Sequence, residues 1–153
     1  MSGHGPRGLI VAAPSSGGGK TTVTLGLLRH LKQTGVRVAS AKAGPDYIDP
    51  AFHAVAAGRP SCNLDTWAMT QATLAHLVSR HTGDIAIAEG VMGLFDGAGE
   101  QGQTARGSTA DLAALLGWPV VLVLDVAKGR FEATDIPPPG DGDHATPNAV
   151  QLQ

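Results

Sequence analysis

Cysteine is nearly absent: Cys62 stands alone, so no intramolecular disulfide can hold this chain together. Six histidines (His4, His30, His53, His76, His81, His144) show no paired ligand spacing, and a structural metal is not expected. Positive charge is not in excess. A formal net charge of −2 gives no basic bias toward nucleic acid. Long apolar runs are missing too. The longest strand-like ones, such as Val120-Val121-Leu122-Val123-Leu124, are far too short to span a bilayer, and MSGHGPRG at the N-terminus lacks the apolar stretch of a secretory signal. The expected address is cytoplasmic, with neither a membrane nor nucleic acid as partner. What remains is 153 residues, 42% of them hydrophobic, which suits one globular domain with a buried core and no internal repeat.

What the chain does have is the stretch Gly8 to Thr22, GLIVAAPSSGGGKTT. An apolar strand that breaks into Gly17-Gly18-Gly19 and resumes as a helix turns successive backbone N–H groups toward one point, a geometry that holds phosphate. Glycine takes positive φ cheaply and lets the backbone approach the ligand. On this reading Ser16, Gly17, Gly18, Gly19, Lys20, Thr21 and Thr22 bind a nucleotide, with Lys20 reaching the β/γ-phosphates and the Thr21 hydroxyl on Mg²⁺. The strict G-x-x-x-x-G-K-[ST] pattern wants glycine where Pro14 stands. The competing reading is a glycine-rich turn with an exposed lysine.

Strand and helix signals then alternate. Leu9 to Ala13 reads as a buried strand, and Thr21 to Thr34 as a helix with Val23, Leu27, Leu28 and Leu31 on one face, stopped by Gly35. Val36 to Ala41 reads as a second strand. Lys42 to Pro50 carries two prolines and reads as a functional loop without regular structure. A short helix spans Ala51 to Ala57 and ends at Gly58. Thr70 caps another that runs to His81, with Leu74, Leu77 and Val78 facing inward. Ile85 to Ala88 is a third strand ending in Glu89, and a glycine-rich loop runs from Gly90 to Gly107. Ser108 or Thr109 caps a helix through Leu116, and Pro119 to Asp125 is a fourth strand. A βαβ series of this kind closes into a parallel sheet with helices on both faces and ligands at the strands' carboxyl ends. From about Lys128 the pattern stops: Pro137 to Pro139 and many Asp, Gly and Asn residues point to disorder. The expected division is a partial ATP-binding domain over 1–127 and a disordered tail over 128–153.

A phosphate cradle needs metal ligands and charge stabilisers from neighbouring strand ends. Asp46, Asp49, Glu89 and Asp96 qualify. Glu89 follows an apolar strand directly and should lie beside the loop after the first strand; its alternative is a helix cap or a solvated loop acid. Asp46 and Asp49 lie in a proline-bracketed loop where Asp also serves as a turn former. Asp125 is an alternative acid at the end of the fourth strand. His53 is either a substrate contact or a structural partner. Tyr47 and Phe95 either line a pocket or pack the loops, Arg106 either neutralises an anion or is solvated, and Cys62 reads as a small buried apolar residue.

Taken together, APSSGGGKTT, KAGPDYIDPAFH, GRPSCNLDTW, AEGVMGLFDG and GSTADLAALLGWPVVLVLD resemble the N-terminal ATP-binding domain of the cobyrinic and hydrogenobyrinic acid a,c-diamide synthases. The resemblance runs from about Gly8 to Asp125. It implies an α/β, P-loop NTPase-like three-layer sandwich with a mainly parallel sheet, as in dethiobiotin synthetase, incomplete here at its C-terminal side. It also accounts for Pro14, since that group keeps the loop without its first glycine. The activity it implies is ATP-dependent amidation of two corrinoid carboxylates, with glutamine as nitrogen source and a homodimer left open. By motif, Lys20 and Thr21 would hold ATP and Mg²⁺, Asp46 and Glu89 would complete the metal site with Thr21, and Tyr47, Asp49 and Asp96 would position the substrate; Asp46, Asp49, Glu89 and Asp96 are the catalytic set.

Full-length members continue into a glutaminase domain with a Cys nucleophile and a catalytic His, and neither is found here. Cys62 lies inside the GRPSCNLD match and is not that nucleophile. The chain therefore reads as a truncated copy whose ammonia must come from elsewhere. Two other readings stand beside it: an ATP-hydrolysing switch of the partitioning type, disfavoured because Ser15 occupies the position of that group's signature lysine, and an inactive remnant. We expect Lys20→Ala to abolish MgATP binding measured by isothermal titration; unchanged affinity would refute the loop assignment.

Overall fold

The computed structural model describes residues 7–126 and 149–150. In chain order these form β1 (Gly8–Ala12), α1 (Lys20–Gln33), β2 (Val38–Ala43), α2 (Asp49–Ala57), β3 (Ser61–Leu64), α3 (Gln71–Ser79), β4 (Ile85–Glu89), α4 (Thr109–Leu116), β5 (Val120–Leu122) and β6 (Ala149–Val150). The strands lie in the order β3-β2-β4-β1-β5-β6, and all neighbours are parallel. The α/β class and parallel sheet expected from the sequence are present.

Period-two alternation along the strands divides the core into two. Ile10 and Ala12 of β1, Ala39, Ala41 and Ala43 of β2, and Ala86 and Ala88 of β4 pack toward Leu74 and Val78 of α3 and Leu112 and Ala113 of α4. On the other face Val11, Val38 and Ile87 meet Leu28 of α1 and Ala57 of α2. Three layers result. Parity then places Lys42 on the face of Val38, and Glu89 on that of Ile87, so both project toward the α1 and α2 side at the carboxyl edge.

Local chemistry sets the helix ends. Ser108 Oγ accepts a hydrogen bond from the Asp111 amide while the Asp111 carboxylate accepts one from the Ser108 amide, a reciprocal box at the start of α4. Thr70 caps α3 through the Thr73 amide, and Gly58 and Gly117 end α2 and α4 in the left-handed region.

The structure corrects several expectations. Four strands were expected; β3 and β6 are additional. Ser61-Cys62-Asn63-Leu64 offers too little apolar pattern to read as a strand, and it forms because β2 supplies a ladder for it at the sheet edge. Lys42 and Ala43 belong to β2 rather than to the following loop. Pro50 sits in the first turn of α2, where a missing N–H costs nothing, so Asp49 and Pro50 are helical. Of the tail expected to be disordered, Ala149–Val150 pairs with β5, and 128–148 and 151–153 lie outside the described residues, as does residue 127 of the expected ATP-binding domain.

Leu28 is fully buried where α1 meets the sheet. Leu28→Ala should lower unfolding free energy by about 2–5 kcal/mol in a denaturant titration.

Candidate active site

The turn between β1 and α1 holds Gly17 at φ 77° and Gly19 at φ 86°, conformations that glycine adopts without strain. A Cβ on Gly18 would come within 3.2 Å of that of Ala13, so this glycine lets the loop lie close against the end of β1. No side chain caps α1, whose first amides have no intrahelical acceptor. They open on a cleft of about 380 Å³ lined by Ser16, Gly17, Gly19, Lys20, Thr21, Thr22, Lys42, Asp49, Glu89 and Met92.

Glu89 lines this cleft and is 1% exposed. Its register partners are Val11 on β1 and Lys42 on β2, which places it at the point between the two strands. Thr21 Oγ1 donates to its Oε1 at 2.6 Å, Lys42 Nζ donates to the same oxygen at 3.1 Å, and His53 Nε2 lies 2.7 Å from Oε2. Burial would raise the Glu89 pKa, but hydrogen bonds from His53 and Thr21 and the charge of Lys42 outweigh it and hold the carboxyl below its ordinary 4.5.

Lys42 was not singled out in the sequence. Its Nζ is buried and also donates to Asp49 Oδ2 at 2.6 Å and to the Gly90 carbonyl at 3.2 Å. One signal did mark it: a charged residue at the carboxyl end of an apolar strand, the same signal that marked Glu89.

Lys20 is the other cation of the cleft. Its Nζ donates to the Met92 carbonyl at 2.6 Å and to that of Ser15 at 3.4 Å, so it lies back across the glycine loop. Burial and the nearby Lys42 charge lower its pKa from 10.5. Met92 has a positive φ of 41°. The loop around it is held on both sides: Thr109 Oγ1 accepts from the Val91 amide at 3.0 Å, and Asp96 Oδ2 accepts from the Gly93 amide at 2.9 Å.

The residues expected from the sequence thus fall into two groups. Lys20, Thr21, Thr22, Ser16, Gly17, Gly19, Asp49 and Glu89 come together at the cleft. Gly18, Asp46, Tyr47 and Asp96 are not among its lining residues; Gly18 lies against Ala13 instead. Asp46 Oδ1 accepts from the Ile48 and Asp49 amides, and its Oδ2 is 4.0 Å from Lys42 Nζ. Burial opposes ionisation of Asp46, but these amides and Lys42 hold its pKa below the ordinary value. Tyr47 is 87% exposed. Cys62, read as buried and apolar, is half-buried with its sulfur 3.2 Å from His81 Nε2.

The donor set fits a polyphosphate carrying its own divalent ion. Among the described residues no three of His, Cys, Asp and Glu form a ready metal cage. Mg²⁺ needs none, because it keeps waters and takes one or two carboxylates plus phosphate oxygens.

The model of the CobQ/CobB/MinD/ParA nucleotide binding domain matches residues 9–88, more than half of the chain. The chain belongs to this family. The match starts in β1 and ends one residue before Glu89, so the nucleotide binding domain model covers the glycine loop, Lys42 and His53. The chain is 57% identical over 131 residues to the hydrogenobyrinate a,c-diamide synthase of Rhodobacter capsulatus, covering 85% of this chain and 30% of that protein. It is 55% identical over 125 residues to that of Brucella anthropi and 54% over 123 residues to that of Rhizobium meliloti, covering 80% and 79% of this chain and 28% of each relative. It therefore spans less than a third of the length of these curated relatives. No helix among the described residues is long and apolar enough to cross a membrane.

Because the folded Glu89 loses its proton more readily than the unfolded one, the unfolded state binds more protons as pH falls below about 4.5. The stability this contributes is complete above that pH and is lost as pH falls through the depressed value. Melting temperature should drop on acidification below pH 4.5, and Glu89→Gln should flatten that drop, as followed by circular dichroism.

Proposed function

We propose that this chain carries the ATP site of an amidoligase that converts the a- and c-carboxylates of hydrogenobyrinic or cobyrinic acid to amides in cobalamin biosynthesis, with glutamine-derived ammonia as the nitrogen source. The observation that carries this reading is the convergence of Lys20, Thr21, Lys42 and Glu89 in one cleft at the strands' carboxyl ends. The names of the relatives supply the substrate class.

A carboxylate resists ammonia because its oxygen leaves poorly. Transfer of the terminal phosphoryl group of ATP to a carboxylate oxygen gives an acyl phosphate and ADP. Ammonia then attacks the carbonyl carbon, the C–O bond breaks, and amide and phosphate are released after loss of a proton. Since the nucleophile is already an anion, the phosphoryl step requires no general base, and catalysis is positioning and charge stabilisation.

Each residue of the cleft has a place in that scheme. The amides from Ser16 to Thr22 surround the phosphates. Lys20 exchanges the Met92 carbonyl for a phosphate oxygen. Lys42 offsets charge on the transferring group from the opposite wall. Thr21 and Glu89 would hold Mg²⁺, with Asp46 and Asp49 close by, and the ion would supply charge neutralisation for the phosphates. Two lysines face four carboxylates here, Asp46, Asp49, Glu89 and Asp96, so a triphosphate arriving without a cation would meet net repulsion. Tyr47, Asp49 and Asp96 would orient the substrate.

The test is phosphate release that depends on both corrinoid and ammonia, using ammonium in place of glutamine. Glu89→Gln should lower kcat about 10²- to 10³-fold while MgATP affinity changes less. Equal loss of both would count against a role at the metal.

A further inference from the structure

His53 is buried without exposure, and the scheme above gives it nothing to do. It lies on α2, one turn after Asp49, in the layer that covers the Glu89 face of the sheet. Its ring makes one polar contact among the described residues: Nε2 lies 2.7 Å from Glu89 Oε2. Nδ1 is equally buried and has no partner there. A carboxylate oxygen can only accept, so Nε2 is the donor in this contact. Core packing alone would favour an apolar side chain, which strands no ring nitrogen.

Glu89 shows what the contact achieves. Its Oε1 is the oxygen on the cleft side, shared by the Thr21 hydroxyl and Lys42. With Oε2 held by His53, rotation of the carboxylate to exchange its two oxygens would break that contact. We propose that His53 is a positioning residue that locks Glu89 so that Oε1 is presented beside Thr21 as a metal ligand. This rests on the nucleotide reading above, but not on the identity of the acceptor. Partners that orient a metal ligand from behind typically contribute about 10- to 100-fold in metal affinity or activity.

Two substitutions in the full chain separate positioning from packing. His53→Gln can place an amide N–H where Nε2 stands, whereas His53→Leu fills similar space with no donor. Mn²⁺ in complex with ATP is the probe, its affinity read by electron paramagnetic resonance, alongside melting temperature and the KM and kcat of phosphate release. We expect His53→Leu to weaken Mn²⁺ binding about 10-fold or more and to lower kcat with little change in KM for ATP, and His53→Gln to stay within about threefold of the parent. Equal affinity in the parent and His53→Leu overturns the proposal, as does His53→Gln failing as badly as His53→Leu at unchanged melting temperature. A parent that binds Mn²⁺ and ATP but never releases phosphate with corrinoid and ammonia retires the amidation reading and leaves this one standing. A parent that binds neither overturns both.

Discussion

The carboxylate of Glu89 ties four elements into one site. Through its own backbone it belongs to β4, through Thr21 it holds the first turn of α1, through Lys42 the end of β2, and through His53 the middle of α2. An anion with 1% exposure is costly unless each oxygen is satisfied, and here both are. The position of Thr21 follows from this bond. Thr21 lies in the first turn of the helix whose amides open on the cleft, so the same contact fixes where the glycine loop lies relative to the sheet.

The cradle is held open by what its residues lack. Gly19 caps α1 with no side chain to bond the first amides, leaving the positive end of the helix free for an outside anion. Lys20 is kept off that end by the Met92 carbonyl, and Met92 itself is held by a loop pinned to α4 through Thr109 and to its own turn through Asp96. Gly93 explains why this loop comes so close: a Cβ there would meet the Pro14 carbonyl at 2.5 Å. Pro14 and Gly93 therefore form a matched contact between the glycine loop and the loop after β4.

Much of this was legible in the sequence because it depends on local signals. The glycine run, the strand-to-helix order and a carboxylate ending an apolar strand are all short-range patterns, and they marked the glycine loop and Glu89, which line one cleft. Lys42 and β3 were not legible for the opposite reason. Lys42 carries only the local mark of a charge ending an apolar strand; what it does depends on the register in which β2 and β4 pair, and that pairing across some 47 residues of chain is not written in either segment alone. Ser61–Leu64 has little strand propensity and takes its form from the edge it completes. His53 lay between these cases. Its place in the sequence suggested a contact, but only the fold turned its ring toward Glu89 rather than toward the cleft.

The buried charges bear on function as well as folding. A buried ion pair contributes little to stability compared with a well-packed apolar pair of similar volume, so Lys42 and Glu89 are poorly explained as structural glue. Lys42 also does more than pair with Glu89, since Asp49 and the Gly90 carbonyl share the same ammonium. Such a group has three acceptors for its three N–H donors and borders the cleft. If an anion enters, Lys42 can redistribute its hydrogen bonds without leaving any acid wholly unpaired, because Glu89 keeps Thr21 and His53. A site held by one strong pair would have to break it to bind. This one can admit charge by sharing, and that accounts for three acids near one lysine in a layer where apolar packing was the simpler solution.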